Sequence, residues 1–348
     1  MGRPLTGMES AGTTFDPDDK SAIRAALTEH LSGLFGAVEV VEGPDRYGAG
    51  LDTYVYAIRL RGELPPEWAA PLVLRVYPQA AQVGKAQREA AAQTFAADHG
   101  IAAPRPLLVE MSWEPYGLPF MIMEWAPGSP LMERFKNPLA IGRTIRAMAE
   151  LQARLHSLPT DGCPLKYDGP LVDRWLAPTK EQVKRFRPRG LDGPLRWLEE
   201  HAQIVREEEA VLVHNDFHPL NLLADGDRLT LLDWPDATLG DRHCDVARTL
   251  ALFWLAPPLE SNAVTRMVLT VLRRFIVPAY ARAYRKHLPL DKRRLRYWQA
   301  LHAFKAWAQI AVMRQEGEAA IGARAGVLAQ IPQALLPALQ AYFEERAR

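Results

Sequence analysis

Eight residues constrain this chain more than any other stretch: His214-Asn215-Asp216-Phe217-His218-Pro219-Leu220-Asn221. Five of the eight side chains can donate, accept or titrate. Apolar runs flank it, Val211–Val213 before and Leu220–Leu223 and Leu229–Leu232 after. Buried polar groups are costly unless partnered. A polar loop pinned between hydrophobic strands therefore reads as a built site. Asp225-Gly226 supplies the turn of a short hairpin, and Asp233 follows it in Leu231-Leu232-Asp233-Trp234.

Two chemistries fit these residues. Phosphoryl transfer needs a carboxylate to orient an attacking hydroxyl, oxygen ligands for Mg2+ and a cation on the nucleotide phosphates. Asp216-x-x-x-x-Asn221 offers a base and an amide oxygen on one loop, and Asp233 offers a charged second ligand. Mg2+ takes few such oxygens and leaves its other positions to phosphate and water. The alternative is a metal-dependent hydrolase using His214, Asp216, His218 and Asp233, completed by Asp241 and His243. Against it, Pro219 rigidifies the turn, no Cys or further His cluster supports zinc, and the upstream half of the chain is left without a role.

That upstream half has its own pattern. At 348 residues the chain suggests two lobes. Asp18-Asp19 precedes Ile23, Leu27, Leu31 and Leu34, which have helical spacing. Strands are expected at Val38–Val41, Tyr54–Leu60, Leu72–Tyr77, Pro106–Glu110 and Leu118–Glu124. A helix is expected over Val83–Asp98, ending at His99-Gly100. Pro127-Gly128-Ser129-Pro130 marks a boundary. Beyond it the pattern is helical, with Ile141, Ile145, Met148 and Leu155 on one face and a further helix over Leu195–Glu208. The reading is a flexible lead-in over residues 1–14, a nucleotide-binding lobe over 15–126, and a helical lobe with the catalytic loop and acceptor site over 127–348. A small sheet lobe followed by a helical lobe suggests a cleft, a common place for ligands.

The string His-x-Asp-Phe-His-Pro-x-Asn resembles the aminoglycoside phosphotransferase family, which has the protein-kinase-like fold. Leu232-Asp233-Trp234, Gly240-Asp241 and Asp245-Val246-Ala247 resemble it too, in the right order. The resemblance implies an α+β, two-lobed fold with an antiparallel sheet lobe and a mainly helical lobe. It implies Asp216 as the catalytic base and Asn221 and Asp233 as Mg2+ ligands. His214 would bond the backbone near Asp233, His218 would position the loop, and Asp241 and Asp245 would tether it. In the sheet lobe, Leu72-Val73-Leu74-Arg75-Val76 is similar to the strand carrying the phosphate-pairing Lys, which here is Arg75. Glu89 on the next helix would hold that cation. Gly48 and Gly50 would cover the phosphates with backbone N–H groups, and the backbone of Glu124, Trp125 and Ala126 would bond adenine.

Asn215 and Leu220 stand where the family usually has Gly, and both are expected to fit with the backbone at negative φ. All the expected acids and the Asn are present, which favours an active enzyme over a nucleotide-binding pseudokinase. Glu124 and His214 are 90 residues apart, and Asp233 and Gly240 only seven. That leaves room for inserted helices at about 161–206 and none for a long activation loop. A small-molecule alcohol is therefore the expected acceptor, with ATP and Mg2+ as the other participants.

Composition excludes some partners. Lys+Arg and Asp+Glu nearly balance, for a net charge of +1, so no whole-molecule field for nucleic acid is expected. The balance hides a split. Residues 260–348 carry 15 Lys+Arg against 6 Asp+Glu, a net of +9, and the rest is net −8. If that basic part lines the acceptor site, together with Trp254, Tyr297, Trp298, Phe304 or Trp307, a polycationic acceptor fits poorly. Two cysteines suggest a reducing, cytoplasmic setting, and no 18-residue apolar run suggests a membrane span.

Overall fold

The computed structural model describes residues 14–47, 53–206, 209–259, 262–323 and 326–348. Backbone contacts divide the chain into two units. The first comprises residues 1–94 and 104–126, and the second 95–103 and 127–348. Residues 1–13 of the lead-in and both phosphate-loop glycines, Gly48 and Gly50, lie outside the described residues.

The first unit contains α1 (Lys20–Phe35), β1 (Val38–Arg46), β2 (Tyr54–Gly62), β3 (Leu72–Val76), all but the last four residues of α2 (Val83–Asp98), β4 (Pro106–Trp113) and β5 (Leu118–Glu124). Asp19 starts α1 by accepting from Ala22 N at 3.0 Å. The five strands form one antiparallel sheet in the order β1-β2-β3-β5-β4. Strand alternation sends Leu72, Leu74 and Val76 into a core with Ile23, Leu27 and Leu31 of α1. Met121 and Met123 pack with Ala86 and Ala90 of α2 in a second, smaller cluster. Burial on both faces explains why β5 reads as an almost unbroken apolar run.

The second unit contains β6 (Ser129–Pro130), α3 (Pro138–His156), α4 (Leu171–Phe186), α5 (Asp192–His201), α6 (Gln203–Arg206), β7 (Ala210–Val213), β8 (Leu222–Asp225), β9 (Arg228–Leu231) and β10 (Thr238–Asp241). These are followed by α7 (Arg242–Leu259), α8 (Ala263–Tyr284), α9 (Lys292–Glu316), α10 (Val327–Gln330) and α11 (Leu335–Ala347). α9 is the centre of the core. Its Tyr297, Trp298, Phe304 and Trp307 are buried with residues of α4, α5, α7 and α11. The aromatic stripe of this helix is therefore packing, as its helical spacing allows.

Two short sheets frame the polar loop. β8 and β9 form the expected hairpin. The Pro127–Pro130 segment is more than a boundary, because Ser129 and Pro130 pair with β8. Gly128 is obligatory there: at φ 117° a Cβ would lie 2.7 Å from the Ala224 carbonyl oxygen. β10 pairs with β7, a strand the sequence did not reveal. Gly240 lets it approach α4, where a Cβ would lie 2.8 Å from Leu171. Among the described residues no helix is long and apolar enough to cross a membrane.

Candidate active site

In the first unit, Arg75 sits on the middle strand, opposite Val55 of β2 and Met121 of β5. It is only 8% exposed. Its Nη1 donates to Glu89 Oε1 on α2, and its Nε donates to Thr53 Oγ1 at 3.0 Å. Tyr77 Oη donates to the other Glu89 oxygen at 2.6 Å. Buried charges persist when they are paired and their remaining atoms are bonded, and Glu89 meets both conditions.

The segment from Glu124 to Ala126 is partly committed. Glu124 N donates to the Arg105 carbonyl at 2.9 Å, and Trp125 N to the Pro71 carbonyl at 3.3 Å. The Glu124 carboxylate accepts from Arg105 N at 3.0 Å. Among the described residues no acceptor takes the Ala126 N–H.

In the second unit, the polar loop leaves β7 and ends in a single 3-10 turn over Pro219–Asn221. Asp245, in the first turn of α7, anchors its start. This buried carboxylate accepts from His214 N at 3.0 Å and Asn215 N at 2.8 Å. His156 Nε2 lies 3.0 Å from it, and Tyr284 Oη backs the ring at 2.6 Å from Nδ1. Burial raises the proton affinity of Asp245, but the His156 and backbone bonds outweigh it and hold the pKa below the ordinary value. One turn along α7, Thr249 Oγ1 donates to the Phe217 carbonyl at 2.8 Å. α7 thus grips the loop at both ends.

His214 is fully buried, and burial lowers its pKa. The neutral ring donates from Nε2 to the Leu232 carbonyl at 3.0 Å, beside Asp233. Asn215 departs from expectation. Its φ is 63°, left-handed rather than negative. Asn is among the few non-Gly residues that tolerate this region. Its Nδ2 donates to the Asp236 carbonyl at 2.9 Å, which fixes the residue there. Asp233 is also left-handed, at φ 66°.

Asp216 is partly exposed and held from three sides. His218 Nε2 lies 3.1 Å from Oδ2. Asn221 Nδ2 donates to the same oxygen at 3.1 Å and to the Asp216 carbonyl at 3.0 Å. Arg248 Nη2 approaches Oδ1 at 3.3 Å. Leu220 N donates to His218 Nδ1 at 3.2 Å, so the His218 proton sits on Nε2, facing Asp216. Burial pushes the Asp216 pKa up. The His218 hydrogen bond and the Arg248 charge more than offset it, so the carboxyl is ionised well below its ordinary range.

Asn221 offers an oxygen of the kind a hard cation such as Mg2+ takes. Because Asn221 Nδ2 faces a carboxylate, the amide oxygen must point the other way, and among the described residues no donor takes it. The Leu232 N–H donates to the Asn221 carbonyl at 2.9 Å, which brings the residue before Asp233 against Asn221. The hydrolytic set is not assembled. His214 is spent on Leu232, and Asp241 binds His243, Arg294 and Trp298. Among the described residues no three His, Cys, Asp or Glu side chains gather as a metal site.

Arg248 went unnoticed in the sequence, although it lies one helical turn after the tethering Asp245. The basic runs near the C-terminus are not gathered at the loop. Arg285, Lys286, Lys292 and Arg293 are exposed, Arg294 binds Asp241, and Arg273 covers Trp254.

Residues 46–298 match the phosphotransferase enzyme family. Acyl-CoA dehydrogenase family member 10 of Mus musculus is 27% identical over 252 residues. The match covers 66% of this chain but only 22% of that protein. Aminoglycoside 3'-phosphotransferase of Streptomyces fradiae is 28% identical over 225 residues, covering 59% of this chain and 74% of that one. Among solved structures, a choline/ethanolamine kinase family protein from Mesorhizobium loti superposes with a TM-score of 0.61 at 16% identity, over 94% of this chain and 97% of that one. A thermostable mutant of aminoglycoside phosphotransferase APH(4)-Ia, in ternary complex with ADP and hygromycin B, gives 0.61 at 15% identity, over 93% and 98%. These likenesses show the kinase-like fold: an antiparallel sheet unit and a mainly helical unit.

Proposed function

The chain belongs to the phosphotransferase enzyme family, and on that premise we propose that it transfers the γ-phosphate of ATP to a hydroxyl of a small molecule. The observation that best supports this is the state of Asp216. It is an ionised carboxylate, partly exposed to solvent, whose orientation is set by His218, Asn221 and Arg248. Such a group suits an attacking alcohol, which must be aimed and relieved of its proton.

In the proposed reaction the acceptor oxygen bonds to the γ-phosphorus while the bond to the β–γ bridging oxygen breaks. ADP leaves with that electron pair, and the hydroxyl proton goes to Asp216. Phosphoryl transfer passes through a loose transition state, so positioning matters more than basicity. An aspartate with a depressed pKa is compatible with that role. Arg75, kept in place by Glu89 and Thr53, would steady the phosphates. Its fork can meet two phosphate oxygens, which a Lys ammonium does only as a point charge. The Ala126 N–H would bond the adenine edge. Asn221 Oδ1 and the Asp233 carboxylate would hold Mg2+, which when bound neutralises charge developing on the phosphates.

The expected setting is cytoplasmic, with ATP and Mg2+ at hand. The test is incubation with γ-labelled ATP and a panel of aminoglycosides, macrolides, choline, homoserine and sugars. Label on an alcohol supports the reading. Absence of Mg2+-dependent ATP binding contradicts it.

A further inference from the structure

We propose that the acceptor alcohol carries a compact anionic group, a carboxylate or a phosphate, and that Arg248 and Lys305 bind this group beside Asp216. The inference rests on the phosphoryl-transfer reading above and adds the class of acceptor. Arg248 projects from α7 and Lys305 from α9, helices that pack together in the core of the second unit.

The two cations are unevenly satisfied. Arg248 has five N–H donors, yet among the described residues its one hydrogen bond to a carboxylate is the 3.3 Å contact with Asp216. Lys305 is partly buried, and its Nζ lies 4.1 Å from the centre of the Trp175 ring. Among the described residues it forms no ion pair or hydrogen bond. An aromatic face is a weaker partner for a desolvated ammonium than a carboxylate.

The surroundings supply a carboxylate only at a distance. Burial lowers the proton affinity of Lys305. The Asp236 carboxylate acts against that lowering from beyond ion-pair distance, and the Arg248 charge adds to it. His302, one turn before Lys305, bonds the Cys244 carbonyl at 2.9 Å and lies edge-on to Trp175. Burial, with the Arg248 charge, takes its pKa down to about 3, so it is neutral and adds neither charge nor a counter-ion. Cys244 and His302, which touch, lie one turn before Arg248 and Lys305, so the two cations leave neighbouring turns of α7 and α9. Among the described residues Lys305 has an aromatic face but no carboxylate in contact, an arrangement that an incoming oxyanion relieves. Because Arg248 also touches Asp216, an anion bound there lies close to the base that must meet the acceptor hydroxyl.

The experiment offers the full chain γ-labelled ATP, Mg2+ and matched alcohols. The pairs are glycerate with glyceramide, glycerol 3-phosphate with glycerol, and glucose 6-phosphate with glucose. Choline and an aminoglycoside serve as cationic members. The expected result is a kcat/KM about tenfold or more higher for the anionic member of a pair, the size of one charge-assisted hydrogen bond. The carboxylate and phosphate arms identify which anion is used. Lys305→Met should raise KM for that acceptor with the loss falling on KM rather than kcat, and Lys305→Arg should restore part of it. Equal or better transfer to neutral or cationic members, or transfer to no anionic member, overturns the inference. Calorimetric titration with ATP and Mg2+ separates the two failures. If ATP does not bind, the phosphoryl-transfer reading falls as well; if ATP binds, only the anionic acceptor falls. Should Lys305→Met lose ATP binding through misfolding, the wild-type pairs decide alone.

Discussion

Asn221 holds Asp216 at two points, its Nδ2 donating to the Asp216 carbonyl at 3.0 Å and to Oδ2 at 3.1 Å. One amide thus orients the carboxylate and, by doing so, turns its own oxygen outward. The two roles given to this loop are linked through a single side chain.

Asn221→Asp separates them. The substitution keeps an oxygen for a cation but replaces the donor with a second carboxylate facing Asp216. Like charges at this distance raise the proton affinity of one partner. Steady-state kinetics should show kcat lowered by roughly 10²-fold or more, the scale of a lost or misplaced acid–base group. An unaltered kcat would remove Asn221 from the orientation of Asp216.

The His218 bond is the largest influence that lowers the Asp216 pKa, acting against burial. His218→Leu removes it. A group with a depressed pKa is ionised throughout the neutral range, so the wild-type acid limb of kcat/KM from this group should lie below the ordinary aspartate range. In the variant that limb should move to higher pH. A pH–rate profile with no shift would show that His218 does not tune the base.

Arg75 and Glu89 are both buried, and removing one partner strands the other. Glu89→Gln should cost about 3–5 kcal/mol in urea unfolding, as for other broken buried pairs. Arg75→Met should raise the KM for ATP by roughly 10–100-fold, the loss of one or two charged hydrogen bonds. A variant with unchanged KM for ATP would leave Arg75 a purely structural cation.

Asp245 accepts two loop N–H groups, and an amide side chain can accept on one oxygen only. Asp245→Asn should therefore destabilise the fold by about 1–3 kcal/mol. The folded-state pKa of Asp245 is depressed, so its contribution is fully present above the unfolded value of about 3.9 and is lost as pH falls through the lower folded value. The stability gap between wild type and variant should be flat from neutral pH down to about 5 and should narrow below about 4. A gap that widens on acidification would contradict the assigned ionisation.

Several parts of this arrangement were legible in the sequence because they are local. The Asp225-Gly226 hairpin follows from turn chemistry, and the His214-to-Asn221 string announces a built loop. The bond from His214 to the backbone beside Asp233 was implied by the resemblance to the aminoglycoside phosphotransferase family. What stayed hidden depends on the chain returning to itself. β10 and β6 are short strands whose partners, β7 and β8, lie far off in sequence. The left-handed Asn215 is fixed by the Asp236 carbonyl, which no spacing rule supplies. Arg248 and Lys305 look like ordinary helix residues until α7 and α9 are packed together.

The central claim is that Asp216 directs the acceptor hydroxyl. Asp216→Asn keeps the shape of the side chain and removes its capacity to take a proton. The most direct measurement is ATP binding by calorimetry alongside phosphate transfer, for wild type and this variant. The account predicts Mg2+-dependent ATP binding near wild type, with turnover lower by roughly 10²–10⁴-fold. Turnover equal to wild type would contradict it.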